Sequence, residues 1–203
     1  HFGSTLGRFL RANGVNATIL DHDSDRVELL RRLGFKVFYG DATRHDLLES
    51  AGAADAHILV SAIDSPEINL KLVETVQKHF PNLELMIRAK NRFDAYELMN
   101  LNIKNPYREH LDTSVRMGVD VLKKMGYRAY SLHRAAQQFI SYDEAAMHEL
   151  FKLTHDQNLY ISASRKQIEM QEELLNNDFR QRSDMNDHAW DSEEMKKDRK
   201  SVV

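Results

Sequence analysis

The stretch ATILDHDSDRVELLRRLGFKVFYGDAT, residues 17–43, decides the fold. Ala17–Leu20 is a short apolar run that ends on Asp21, as a buried strand does. Ser24 or Asp25 then opens a helix whose Val27, Leu30 and Leu33 recur at helical spacing, and Gly34 closes it. Phe35–Tyr39 alternates between two faces and reads as a second strand, with Gly40-Asp41-Ala42-Thr43 as the loop after it. Two strands joined through one helix with short loops make a βαβ unit, which places the strands parallel through a right-handed crossover.

The same alternation continues outward. On the N-terminal side, residues 4–12 read as a helix with Leu6, Phe9 and Leu10 on one face, stopped by Asn13-Gly14. We expect a first strand and turn to lie ahead of it. On the C-terminal side a helix is expected from about Arg44 to Ala51, a strand at His57–Ser61, and a helix beginning at Asp64-Ser65-Pro66 with Pro at its first turn. That helix carries Ile68, Leu72, Val73, Val76 and Phe80 on one face and breaks at Pro81-Asn82. A strand at Leu83–Ile87 and a helix at Phe93–Asn100 follow. The expected fold class is α/β, a Rossmann-type doubly wound parallel sheet.

After Pro106 the pattern is helical only. Residues 110–125 are amphipathic through Leu111, Val115, Val119 and Leu122, and Gly126 ends that run. Residues 129–153 and a charged segment, 160–182, are the next helices. Beyond Ser183 the composition is polar and charge-rich, and predicts disorder.

The 203 residues suffice for one α/β domain with an added element, and 42% apolar with 29% charged residues is a soluble globular balance. A net charge of −3 gives no reason to expect a nucleic-acid partner. The longest apolar runs, such as His57–Ile63, are too short to cross a bilayer, and no signal peptide is visible. The absence of cysteine excludes disulfides, thiolate metal sites and a thiol nucleophile.

Two constellations could hold a ligand. Gly3-xxx-Gly7 at a helix start, with Asp21 ending the next strand, fits the last glycine of a dinucleotide fingerprint and the carboxylate that receives ribose hydroxyls. The first two glycines of that fingerprint are not in the sequence, and a βαβ unit without a ligand reads the same way. Asp41-Ala42-Thr43 lies at the carboxyl end of a strand, where open α/β sheets bind ligands, and either Asp41 or Thr43 could instead cap the next helix. Arg88, at a strand end, is a candidate for a phosphate. Catalytic machinery is not apparent: there is no Tyr-xxx-Lys, G-x-S-x-G, H-E-x-x-H or P-loop pattern, and the ten histidines are scattered.

Several stretches together resemble the cytoplasmic domain of Kef, the glutathione-gated potassium efflux family of Gram-negative bacteria. They are HFGSTLGR, LDHD, KVFYGDATR, DLLESAGA and KHFPNL, and the likeness runs from residue 1 to about 155. The resemblance implies a KTN (RCK) nucleotide-binding domain at 1–107, a helical dimerisation and ligand-binding arm at 108–160, and a charged helix with a tail at 161–203. It implies AMP or NAD(H) bound at Gly3, Asp21, His22, Asp41, Ala42 and Thr43, with Arg88 on the phosphate. Glutathione or its S-conjugates would contact Arg8, Leu33, Arg108 and Asp143; Asp143 replaces an Asn, and Leu33 a Phe that senses adduct bulk. The implied partners are a second copy, a membrane antiporter domain of the same polypeptide and an ancillary quinone-reductase-like subunit, at the cytoplasmic face of the bacterial inner membrane. Two other readings are a nucleotide-sensing subunit of a Trk- or Ktr-type potassium system and an NAD-dependent oxidoreductase.

Overall fold

The computed structural model describes residues 2–183, with side chains to residue 175. It forms two compact units, His1–Glu109 and His110–Val203.

The first unit alternates strand and helix throughout: α1 (Phe2–Ala12), β1 (Thr18–Asp21), α2 (Ser24–Arg32), β2 (Lys36–Tyr39), α3 (His45–Ser50), β3 (Ile58–Ser61), α4 (Pro66–His79), β4 (Glu84–Ala89), α5 (Arg92–Asn100) and the two-residue β5 (Tyr107–Arg108). All pairings are parallel. β1 pairs with β2 in the register Thr18 with Lys36 to Asp21 with Tyr39, and β3-β4-β5 form a second ladder. The strand expected ahead of α1 is not among the described residues.

β1 shows how the sheet comes to be covered on two faces. Side chains alternate along a strand. Ile19 therefore packs with Val27 and Leu30 of α2 and with Val37, while Leu20 packs with Leu48 of α3 and Leu72 and Val76 of α4. Burial on both faces is what the near-continuous apolar strands require. The two glycines of α1 let it lie close against strands of both ladders. A side chain at Gly3 would begin 3.2 Å from Ala62 Cβ, just past β3, and one at Gly7 would meet Ile19 of β1 at 3.7 Å. That close seat at Gly3 accompanies a helix that starts at Phe2, two residues before the Ser4 expected from the sequence.

Local signals set the helix starts. Asp23 accepts from the backbone N–H groups of Asp25 and Arg26 and starts α2. Ser65 accepts from Ile68 N–H, with Pro66 in the first turn of α4. β4 runs on to Ala89, two residues past the expected end, so Arg88 lies within the strand.

The second unit is helical: α6 (Leu111–Lys124), α7 (Ala129–Phe151) and α8 (Gln157–Ser183). α6 packs on α7 and α7 on α8, over Val119, Leu132, Met147 and Leu150. α8 starts three residues before the expected 160, because Asp156 accepts from the N–H groups of Asn158 and Leu159 at 2.9 and 3.0 Å. The stretch after Ser183, expected to be disordered, lies outside the described residues. No described helix is long and apolar enough to cross a membrane.

Candidate functional site

The carboxyl ends of β1 and β2 stand side by side, tied by a hydrogen bond from Gly40 N–H to the Asp21 carbonyl at 2.9 Å. Asp21, 16% exposed, accepts from Asp23 N–H at 3.0 Å on one carboxylate oxygen and faces Arg26 Nε at 3.3 Å with the other. A carboxylate offers about four acceptor sites, so room remains for hydroxyl donors. Arg26 is held above its usual range by its hydrogen bond to Asp23, then by the charges of Asp21, Asp23 and Asp64. His22 is largely exposed, its Nδ1 3.9 Å from Asp21 Oδ1.

Asp41 Oδ1 accepts from Thr43 N–H at 2.9 Å, and that bond holds its carboxyl below the ordinary carboxylate range. The Thr43 carbonyl in turn accepts from the Thr75 hydroxyl of α4 at 3.1 Å. The Asp41-Ala42-Thr43 loop is thereby fixed from both sides. Neither Asp41 nor Thr43 caps α3: its N-cap is Arg44, with no side-chain capping bond. The capping alternative is corrected on that ground. Here Asp41 closes a turn on its own loop.

Arg88 is engaged by protein groups. Only 8% exposed, it reaches Asp64 Oδ1 at 2.5 Å and the Ala62 carbonyl at 2.9 Å through Nη1. Nε donates to Glu109 Oε2 at 3.1 Å and Nη2 pairs with the same carboxylate. The Phe2 ring lies over the guanidinium, 5.1 Å from centroid to Cζ.

A second feature is an open groove between α1 and the α2–β2 turn, lined by Arg8, Arg11, Ala12, Leu33 and Phe35. Arg8 and Leu33 thus line one groove. Arg8 is exposed and makes no ion pair among the described residues, and Leu33 is 54% exposed. Arg108, on β5, does not line this groove, and Asp143 lies on α7 in the other unit. Sequence reasoning missed Arg11 and Phe35. Arg11 donates through Nη1 to the Leu33 carbonyl at 2.8 Å and stacks on Phe35 at 4.9 Å. Arg11 and Phe35 are 24 residues apart, so no local spacing in the sequence links them. Among the described residues no group of three or more metal-binding side chains occurs.

A parallel βαβ sheet with a carboxylate ending β1 and a glycine-bearing helix seated on it defines the class, a Rossmann-type domain. The TrkA-N domain model matches residues 1–105, and the model described as the potassium efflux system KefB C-terminal domain matches 113–189. A solved structure of the Shewanella denitrificans Kef C-terminal domain in AMP-bound form is 41% identical, with a TM-score of 0.69, over 75% of this chain and 93% of that one. The glutathione-regulated potassium-efflux system protein KefC of Cronobacter sakazakii is 38% identical over 93% of this chain. The TrkA-N domain of the Escherichia coli inner membrane protein ybaL, at 20% identity and a TM-score of 0.54 over 59% of this chain and 88% of that one, shares the fold. The chain belongs to the family of Kef C-terminal domains. It spans about 30% of the length of the curated KefC relative.

Proposed function

We propose that this chain is the ligand-sensing domain that gates a potassium efflux and proton antiport system. The observation that carries the reading is the pair Asp21 and Asp41–Thr43 at adjacent strand ends, on the first unit of a chain whose relative is an AMP-bound Kef domain. AMP or NAD(H) would sit there, with ribose hydroxyls on Asp21, His22 beside it, the base against Ala42 and Thr43, and phosphate near Gly3, at the start of α1. Anions favour a helix N-terminus.

Glutathione or its S-conjugates would be held by Arg8, Arg108 and Asp143, next to Leu33. Glutathione carries two carboxylates and one ammonium. A guanidinium suits a carboxylate through two parallel hydrogen bonds, and Asp143 has the charge for the ammonium. Two copies would supply these groups to a shared cleft. The proposed divisions are 1–107 for nucleotide, 108–160 for dimerisation and effector, and 161–203 for the charged segment. The remaining partners would be the antiporter domain of the same polypeptide and an ancillary quinone-reductase-like subunit, at the cytoplasmic face of the inner membrane.

A ligand shifts a conformational equilibrium only by its differential affinity for the two states. Glutathione and its conjugates share the same anchors, so the S-substituent must create the difference, and Leu33 is the exposed apolar side chain beside Arg8. Calorimetric titration with AMP present tests this. Glutathione and an S-alkyl glutathione are expected to compete for one site and to differ in affinity by at least roughly fivefold. Binding of ATP, ADP or NADH with no response to glutathione or its S-alkyl derivative would point to the Trk or Ktr type of sensor instead.

A further inference from the structure

Arg88 is shared by two carboxylates of unlike exposure. Asp64, in the β3–α4 loop, is 75% exposed, whereas Glu109, directly after β5, is 24% exposed. The Glu109 pair lies in the poorer solvent and keeps more of its Coulomb energy; the Asp64 pair is open to water and salt. The remaining contacts bind the guanidinium to three elements at once: the Ala62 carbonyl after β3, the Phe2 ring that begins α1, and β4 itself. Backbone pairing adds a direct link, since Glu109 N–H donates to the Ala89 carbonyl at 2.9 Å. Beneath this hub the floor is rigid. Asn69, 3% exposed, accepts from the Ser61 hydroxyl at 2.6 Å and donates to the Ile63 carbonyl at 3.1 Å and the Arg88 carbonyl at 3.3 Å.

Asp64 is the more exposed of the two carboxylates. It lies on the loop after Ala62, against which the first turn of α1 is seated, and its charge is felt by Arg26 at the start of α2. Its hydrogen bond to Arg88 and that residue's charge keep its carboxyl ionised below the usual carboxylate range. A carboxylate therefore stands at the strand edge where an incoming phosphate would want the same cation.

We propose that Arg88 is a latch, with Glu109 as its fixed arm and Asp64 as an internal anion that a phosphate-bearing ligand displaces, so that occupancy of the crevice is registered at Tyr107–Glu109, where the first unit ends. This rests on the nucleotide reading above and adds to it. Asp64 competes with the ligand, and Glu109 passes the change on.

The test uses the full chain with AMP as the probe, followed by calorimetry and by hydrogen exchange of residues 107–116. In the unaltered chain AMP is expected to slow exchange across that segment. Asp64→Asn removes the competing charge and is expected to tighten AMP binding by roughly fivefold. Glu109→Gln is expected to leave AMP affinity within about threefold, yet to abolish the AMP-dependent slowing. Asp64 is exposed, so its variant decides the matter even if Glu109→Gln fails to fold. Unchanged or weaker AMP binding in Asp64→Asn overturns the latch alone, as does slowing that persists in Glu109→Gln. Failure of AMP to bind the unaltered chain overturns the nucleotide reading and the latch together.

Discussion

Replacing Arg8 and Arg108 together by alanine is expected to weaken glutathione binding by about two orders of magnitude while AMP still binds. A charge-assisted hydrogen bond to a carboxylate contributes roughly 1.5–3 kcal/mol, and a tenfold change in affinity is about 1.4 kcal/mol. Two lost guanidinium anchors then remove about 3 kcal/mol even after the exposure of Arg8 is allowed for. Arg11 cannot take over, because it is committed to the Leu33 carbonyl and the Phe35 ring. The nucleotide groups Asp21 and Asp41 keep their own partners, Asp23 N–H and Thr43 N–H, in the double variant. Calorimetric titration of both ligands on one sample reads the two effects. Unchanged glutathione affinity would remove Arg8 and Arg108 from the effector site.

Arg88→Met is expected to destabilise the first unit by about 3 kcal/mol, because it strands a carboxylate that is largely buried. Glu109 loses its cation, the Ala62 carbonyl loses a donor, and Phe2 loses the charge over its ring. Asp64 adds little to the loss, since water replaces its partner. The double variant Arg88→Met with Glu109→Met should recover part of the stability, as replacing a whole buried pair by apolar groups often does. Urea unfolding with the slope unchanged is the measurement. A shift within about 0.5 kcal/mol for Arg88→Met would show that the hub carries no structural load.

Much of the first unit was legible because its signals are local. Strand runs end on Asp21 and Tyr39, Gly34 closes α2, and Pro66 opens α4, so periodicity and caps suffice to place these elements. The start of α8 was also written locally, in the Asp156-Gln-Asn-Leu cap, but the charged composition that follows drew attention to residue 160 instead. What sequence alone could not give is pairing across the fold. Arg88 meets Glu109 at a separation of 21 residues and Asp64 at 24, distances at which no periodicity carries information. The strand edge makes an Arg there a phosphate candidate, and only the fold shows which carboxylates share its donors. Arg11 was missed for the same reason. Its partners Leu33 and Phe35 are brought to it by the βαβ crossover, not by helical spacing.

Titration of AMP into the full chain, repeated with Asp21→Ala, addresses the nucleotide crevice most directly. Saturable binding of one AMP per chain, weakened at least roughly tenfold by loss of the ribose carboxylate, is the expected result. No binding, or equal affinity in the two chains, would contradict a nucleotide held at the carboxyl end of β1.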